Sequence, residues 1–382
     1  MENRNTLEVR KVGEKQPFEG KGEDAIQALQ RIAEEIYASF EKGDIPRIKI
    51  PLRTKSNLEF VKKSGVWKLG RQMGERSAKK LTGALMLLRT MYLIKFIEEM
   101  MEGNKTSTLR EMYYISEGWK YGHFSDQNES NALVEDLEAI THLLREEFRL
   151  RPEENGASLI GNIVISEVNR KGQVKTIHCS RDVGDAGYTI PSNVEKDRIT
   201  FKEWDADFVL AIECGGMFDR LAENRFDEEH RAILVHLKGQ PARSTRRLLK
   251  RMNTECNLPV VVFTDCDPWS FRIFASVAYG AISTAYISDY LATPSAEFLG
   301  VSPSDIQNYD LPSDKLNEKD IQALNELKSD PRFDDEFWRS EIDLMLESNR
   351  KAEQQSLAKY GLEFVSSTYL PEKLSEMGIL KR

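Results

Sequence analysis

The sequence predicts an α/β chain in two folded parts, a winged-helix (CAP-like) unit followed by a doubly wound parallel sheet. Three observations carry this. Helical periodicity runs through residues 75–145, two strand-like segments joined by a polar turn come next, and continuous apolar runs alternate with helices beyond residue 204.

The first 70 residues read as an irregular N-terminal arm, with one short amphipathic segment at 25–40 and a basic, proline-containing stretch after it. Residues 75–103 read as a long helix, with Leu81, Leu85, Leu88 and Met91 on a broad apolar face, stopped by Gly103-Asn104. A second helix starts near Thr108, where Thr-Leu-Arg-Glu matches a capping box. A third runs over 131–145, with Leu133, Leu137, Ile140 and Leu144 at helical spacing. Residues 160–168 and 173–179 read as strands around the turn at Asn169–Gly172, and helices followed by a hairpin suggest the winged helix.

The second half has another rhythm. Strands at 208–212, 232–237 and 259–263 are each followed by a helix, at 217–223, 244–255 and 271–280. Runs that are apolar throughout belong to a parallel sheet covered on both faces. Tyr286 falls in a possible fourth strand.

The 382 residues carry 54 Lys+Arg against 62 Asp+Glu, a net charge of −8. As an average this argues against a polyanion partner, but the charge is uneven. Residues 47–89 hold twelve basic and two acidic residues, and 238–251 hold six basic and none acidic. Residues 305–353 hold fourteen acids and seven bases, so that stretch supplies most of the deficit. Segregated basic segments are the footprint of a polyanion partner, or else solvated helix faces. The apolar stretch 81–97 is interrupted by Arg89 and Lys95 and is too short to span a bilayer, so no membrane partner is expected. The N-terminus lacks the apolar core of a signal peptide. Cys179, Cys214, Cys256 and Cys266 form no CxxC pair and no zinc spacing, which fits free thiols in a reducing cytoplasm. The five histidines form no constellation and read as structural or surface residues.

Sites in open α/β sheets form at the carboxyl ends of strands. Glu213 lies just past one strand, and Asp265 and Asp267 lie past another, in Thr-Asp-Cys-Asp-Pro. Alternate residues of an extended segment point the same way, so the two Asp carboxylates can converge. Three hard oxygen donors on adjacent loops suit Mg²⁺, whereas an isolated Asp-x-Asp is more often a helix cap. On the second helix, Leu109, Met112, Tyr113 and Ser116 share a face, while Tyr114 lies about 140° from Leu109 and about 40° from Arg110. Tyr113 is therefore expected to pack inward, leaving Tyr114 and Arg110 together on a more exposed face. A phenol beside a guanidinium can attack a phosphodiester, or it is an ordinary surface pair.

These residues carry a family resemblance. Leu109-Arg110-Glu111-Met112-Tyr113-Tyr114 resembles the tyrosine motif of the A subunit of type IIB topoisomerases, the group of topoisomerase VI and the eukaryotic meiotic double-strand-break protein. Glu213 with Asp265-x-Asp267 is similar to the Toprim signature, and the segment from Lys238 to Arg246 resembles the family's GKGxPxxxTR. Leu237, Gln240 and Trp269 depart from the usual residues and leave the acids untouched. The resemblance implies an arm over 1–70 that docks a partner, a winged-helix domain over 71–155 and a Toprim domain over 156–382. That last domain would have a Rossmann-like parallel sheet as its core, at about 204–300. It implies Tyr114 as the nucleophile of a 5′-phosphotyrosyl DNA link, Arg110 as stabiliser of transition-state charge, and Glu213, Asp265 and Asp267 as Mg²⁺ ligands. It also implies an ATP-dependent enzyme of the DNA-bearing cytoplasm or nucleoid. The chain would act as a homodimer on duplex DNA, with an ATP-binding B subunit completing an A2B2 heterotetramer. No Walker A motif occurs in this chain, which fits ATP chemistry on the partner. Lys238, Arg243, Arg246 and Arg247, on the loop and helix beside the acids, are the expected phosphate contacts, although Arg246 could pair with a nearby Asp instead. The competing readings are a break-forming relative that does not reseal and a non-enzymatic winged-helix DNA-binding protein.

Overall fold

The computed structural model of the protein describes residues 24–152, 157–169 and 171–380. The expected arm therefore lies outside the described residues over its first 23 positions. The rest is not irregular. Helix α1 (Ala25–Glu41) opens on an Asp24 cap and buries Ala25, Ala28, Leu29, Ile32 and Ile36. Strands β1 (Arg47–Pro51) and β4 (Met73–Ser77) pair antiparallel, and between them β2 (Leu58–Val61) and β3 (Val66–Leu69) form a hairpin. Asn57 locks this excursion, its amide donating to the carbonyls of Leu52 and Gln72. These strands alternate basic and apolar residues too weakly to be read from sequence.

Helix α2 (Leu81–Glu102) starts later than expected because β4 takes the preceding residues. Strand β5 (Ser107–Thr108) leads into α3 (Leu109–Ser116), whose capping box forms as the sequence predicts. Helix α4 spans Gln127–Thr141, shifted four residues toward the N-terminus, because Asp126 caps it and His142 ends it in a left-handed conformation. Strand β6 (Leu150–Arg151) pairs in parallel with β5. One hydrophobic cluster joins α1 to α4, with Leu93, Ile97, Met112, Leu137 and Phe148 nearly inaccessible.

The larger core surrounds a six-stranded sheet. Its strands are β7 (Ser158–Gly161), β10 (Tyr188–Thr189), β12 (Phe208–Ile212), β13 (Ala232–His236), β14 (Val260–Phe263) and β15 (Glu297–Gly300), in spatial order β10-β7-β13-β12-β14-β15. Strands β13, β12, β14 and β15 run parallel, and β7 and β10 add an antiparallel edge. Every residue of β12 and β14 is buried, as runs covered on both faces require. Helices α5 (Gly215–Glu223), α6 (Phe226–Glu229), α7 (Arg243–Glu255) and α8 (Pro268–Ala278) provide the crossovers.

Two expectations change here. The hairpin exists, as β8 (Ile163–Val168) and β9 (Val174–His178), but β11 (Ile199–Trp204) joins it in a three-stranded sheet. Its Ile163, Ile165 and Ile177 are buried in the core of the large sheet, so the hairpin packs with that sheet and not as a wing on the helices. Tyr286 lies in a 3-10 turn over Ile282–Ile287, and the fourth parallel strand is β15. Among the described residues no helix is long and apolar enough to cross a membrane, and all four cysteines are free.

Candidate active site

Strand β12 ends at Ile212 and presents Glu213 above the sheet, one residue before the cap of α5. Strand β14, its neighbour, ends at Phe263 and leads through Thr264 to Asp265 and Asp267. Cys266 between them is fully buried while both Asp residues are half-buried, the alternation expected of an extended segment. The Asp265 amide donates to Glu213 Oε2 at 3.1 Å, so the two strand ends are tied through their acids. Asp267 also caps α8, accepting from the amides of Trp269 (2.8 Å) and Ser270 (2.7 Å). The capping alternative is therefore realised at Asp267.

Burial, then the charges of Asp265 and Asp267, push the Glu213 carboxyl up to about 7. Burial, then Asp267 and Glu353, push Asp265 up to about 6. Crowded carboxylates with raised proton affinity form a site that gains from a cation. Among the described residues no three acidic, His or Cys side chains close into a ready metal cage. A hard cation such as Mg²⁺ keeps several waters and substrate oxygens, so an open carboxylate cluster suits it.

The tyrosine helix is arranged as its periodicity predicts. Leu109, Met112 and Ser116 are buried, Tyr113 packs half-buried against the helical core, and Tyr114 is 58% exposed. The Arg110 guanidinium lies 5.9 Å from the Tyr114 ring centroid, within cation–π range. Tyr114 belongs to the surface of the helical unit, and the acids belong to the sheet.

The four expected phosphate contacts do not stay together. Lys238 is exposed in a left-handed turn whose Gly239 amide donates to the Glu213 carbonyl at 3.2 Å, so it stands beside the acids. Arg243 instead turns inward, donating to Glu138 at 2.8 Å and to the Tyr286 hydroxyl at 2.9 Å. Arg247 pairs with Glu195 and lies 3.6 Å from the Tyr290 ring centroid. Arg246 is buried without a hydrogen-bond partner on Nε or Nη1, and burial followed by Arg243 and Arg145 lowers its pKa to about 10. The basic run of α7 is thus packed away, Arg243 against α4 of the helical unit and Arg247 against Glu195 and Tyr290. The carboxylate of Glu138, wholly buried on α4, lies 105 residues from Arg243 in sequence and gives no local signal. Glu138→Ala leaves Arg243 uncompensated and is expected to cost about 3–5 kcal/mol in urea unfolding. A cost under about 1 kcal/mol would remove the strut.

Gln354 is a site residue that sequence reasoning misses. Its backbone amide donates to Asp265 Oδ1 at 2.8 Å, and its side chain accepts from the Cys214 amide at 3.3 Å.

A glutamate and an Asp-x-Asp at neighbouring strand ends of a parallel sheet are the arrangement of a Toprim-type domain, and an exposed tyrosine lies on a separate helical unit. Residues 208–374 match the family model for the Toprim domain of Spo11 and the topoisomerase 6 A subunit. Residues 153–205 match the all-beta domain in DNA topoisomerase VI alpha subunit, and residues 86–150 match Type IIB DNA topoisomerase. The chain is 58% identical over 355 residues to the Type 2 DNA topoisomerase 6 A subunit of Archaeoglobus fulgidus, covering 93% of this chain and 98% of that one. It is 54% identical over 370 residues to the protein of the same name from Methanosarcina mazei, covering 96% and 100%. It is 52% identical over 360 residues to that from Natronomonas pharaonis, covering 94% and 97%. The chain belongs to the topoisomerase VI A-subunit family of type IIB DNA topoisomerases. The middle match covers the three-stranded sheet, so the hairpin expected to be a wing falls in a region with its own all-β description.

Proposed function

We propose that the chain cleaves both strands of duplex DNA reversibly as half of a homodimer, working with an ATP-binding B subunit in an A2B2 complex. The observation that carries this is the exposed phenol of Tyr114 beside Arg110, on the opposite unit from a crowded carboxylate site. The Tyr114 oxygen attacks phosphorus, forming one O–P bond as the P–O3′ bond breaks. The phenolic proton passes to solvent, and the departing 3′ oxygen takes one up as a hydroxyl. One ester replaces another, so attack by that hydroxyl on the phosphotyrosyl link reseals the strand. Arg110 stabilises charge on the phosphoryl oxygens. Glu213, Asp265 and Asp267 would hold Mg²⁺, which when bound supplies Lewis-acid stabilisation at the scissile phosphate. The helical unit serves as the DNA-binding half, and exposed Lys238 meets a phosphate near the acids. The N-terminal segment is the docking element for the B subunit, and the complex acts on DNA in the cytoplasm or nucleoid.

The test supplies the B subunit, Mg²⁺ and ATP together with supercoiled and catenated plasmid. Relaxed and separated circles, covalently closed and formed only with ATP, are expected. Accumulating linear DNA would instead identify a break-forming relative. DNA retention without any strand change would reduce the chain to a binding protein.

A further inference from the structure

We propose that Gln354 is a positioning residue of the acidic site, clamping the loop after β12 to the loop after β14 so that Glu213 and Asp265 keep a fixed separation. This rests on the metal reading above. Parallel pairing sets the distance between the two strands only as far as Ile212 and Phe263. Beyond that point the two loops are joined directly by the Glu213 amide to the Phe263 carbonyl at 3.0 Å and the Asp265 amide to Glu213 Oε2 at 3.1 Å, while the carboxylates on them repel. One residue from a distant part of the chain touches both loops. Its side-chain oxygen accepts from the Cys214 amide, next to Glu213, at 3.3 Å, and its own amide donates to Asp265 Oδ1 at 2.8 Å. The segment before it is registered on the same loop, since Cys266 and Ala352 exchange two backbone hydrogen bonds of 2.8 and 3.1 Å. Gln354 is inaccessible to solvent, and its Nε2 is buried with no acceptor. A buried donor left unpaired lowers stability, so a side chain selected for packing alone would not be an amide here. The carbonyl half of that amide has a defined partner at the site, which is the reason to place an amide in this position. The clamp also gives the end of the acidic stretch 305–353 a role, because it delivers this residue to the sheet.

Calorimetric titration of the full-length chain with Mg²⁺ tests the clamp in Gln354→Met, Gln354→Ala and Gln354→Glu. Met keeps the volume and loses the oxygen, Ala loses both, and Glu restores an oxygen at the same reach. Circular dichroism and thermal unfolding identify which variants are folded. Met and Ala are expected to weaken Mg²⁺ binding about fivefold or more, with Glu recovering most of the loss. Wild-type affinity in any folded variant lacking the oxygen would overturn the clamp, as would equal weakening in Met and Glu. Glu213→Gln is the control for the reading beneath it. If that variant binds Mg²⁺ as the wild type does, the metal site itself fails and the clamp falls with it. If Glu213→Gln loses binding while folded Gln354→Met keeps it, the clamp alone fails.

Discussion

Tyr114→Phe is expected to abolish the covalent protein–DNA adduct trapped by denaturant, a fall of roughly a thousandfold or more, because it removes the oxygen proposed to attack. The exposed ring stays, so folding stability should move by no more than about 0.5 kcal/mol. Tyr113→Phe is the matched control. Tyr113 packs half-buried against the helical core, and the Arg110 guanidinium lies over the Tyr114 ring. Adduct is expected to form at near wild-type level in that variant. Adduct that survives Tyr114→Phe and disappears in Tyr113→Phe would reverse the assignment. Arg110→Ala should fall between the two, since it removes charge stabilisation and leaves the nucleophile.

Glu213→Ala carries the second largest effect. Loss of cleavage by roughly a hundredfold or more is expected in Mg²⁺, with the proposed dimer retained, because the residue lies at a strand end and not in a packed seam. Undiminished cleavage in Mg²⁺ would remove the metal role. The same substitution should alter the pH dependence of stability. Folding raises the Glu213 carboxyl to about 7 and the Asp265 carboxyl to about 6, so the metal-free folded state holds more protons than the unfolded chain between about pH 4 and 7. Stability is then fully present below the unfolded values and is lost as pH rises through the folded ones. For Glu213 the loss is on the order of 2–3 kcal/mol. Thermal unfolding without metal should therefore show lower stability at pH 7.5 than at pH 5 from this group, with the difference reduced in Glu213→Ala. Added Mg²⁺ should recover stability at pH 7.5 and not at pH 5, where protons occupy the same oxygens. A metal-free profile unchanged by Glu213→Ala would contradict the electrostatic account of the site.

The parts of this site that could be read in advance depend on short-range rules. Strands β12, β13 and β14 announce themselves as unbroken apolar runs, and the acids follow at their ends. The exposure of Tyr114 follows from helical phase alone, because the capping box fixes where α3 begins. Strand β15 is hidden because it opens on exposed Glu297 and ends on Gly300 with no unbroken apolar run, while Tyr286 sits in a 3-10 turn and its hydroxyl serves Glu138. The hairpin is legible as two strands and illegible as to which core it joins, since its apolar residues suit either.

Side-chain chemistry at given spacings, and the local elements that present it, are determined by the sequence by itself. Glu213, Asp265 and Asp267 at strand ends, and Tyr114 with Arg110 on one helix face, need only periodicity and capping to be placed, while the pairing of β12 with β14 that makes those ends neighbours is tertiary. Tertiary structure alone decides which charges remain available. Arg243 and Arg247 are consumed by Glu138 and Glu195, from 105 and 52 residues away, and Arg246 is enclosed between them, whereas Lys238 on the adjoining turn stays in solvent. Gln354 reaches Asp265 from 89 residues away and the Cys214 amide from 140. The physical reason is range: helix phase and strand alternation act over a few residues, while ion pairing, burial and loop clamping depend on what folding brings alongside.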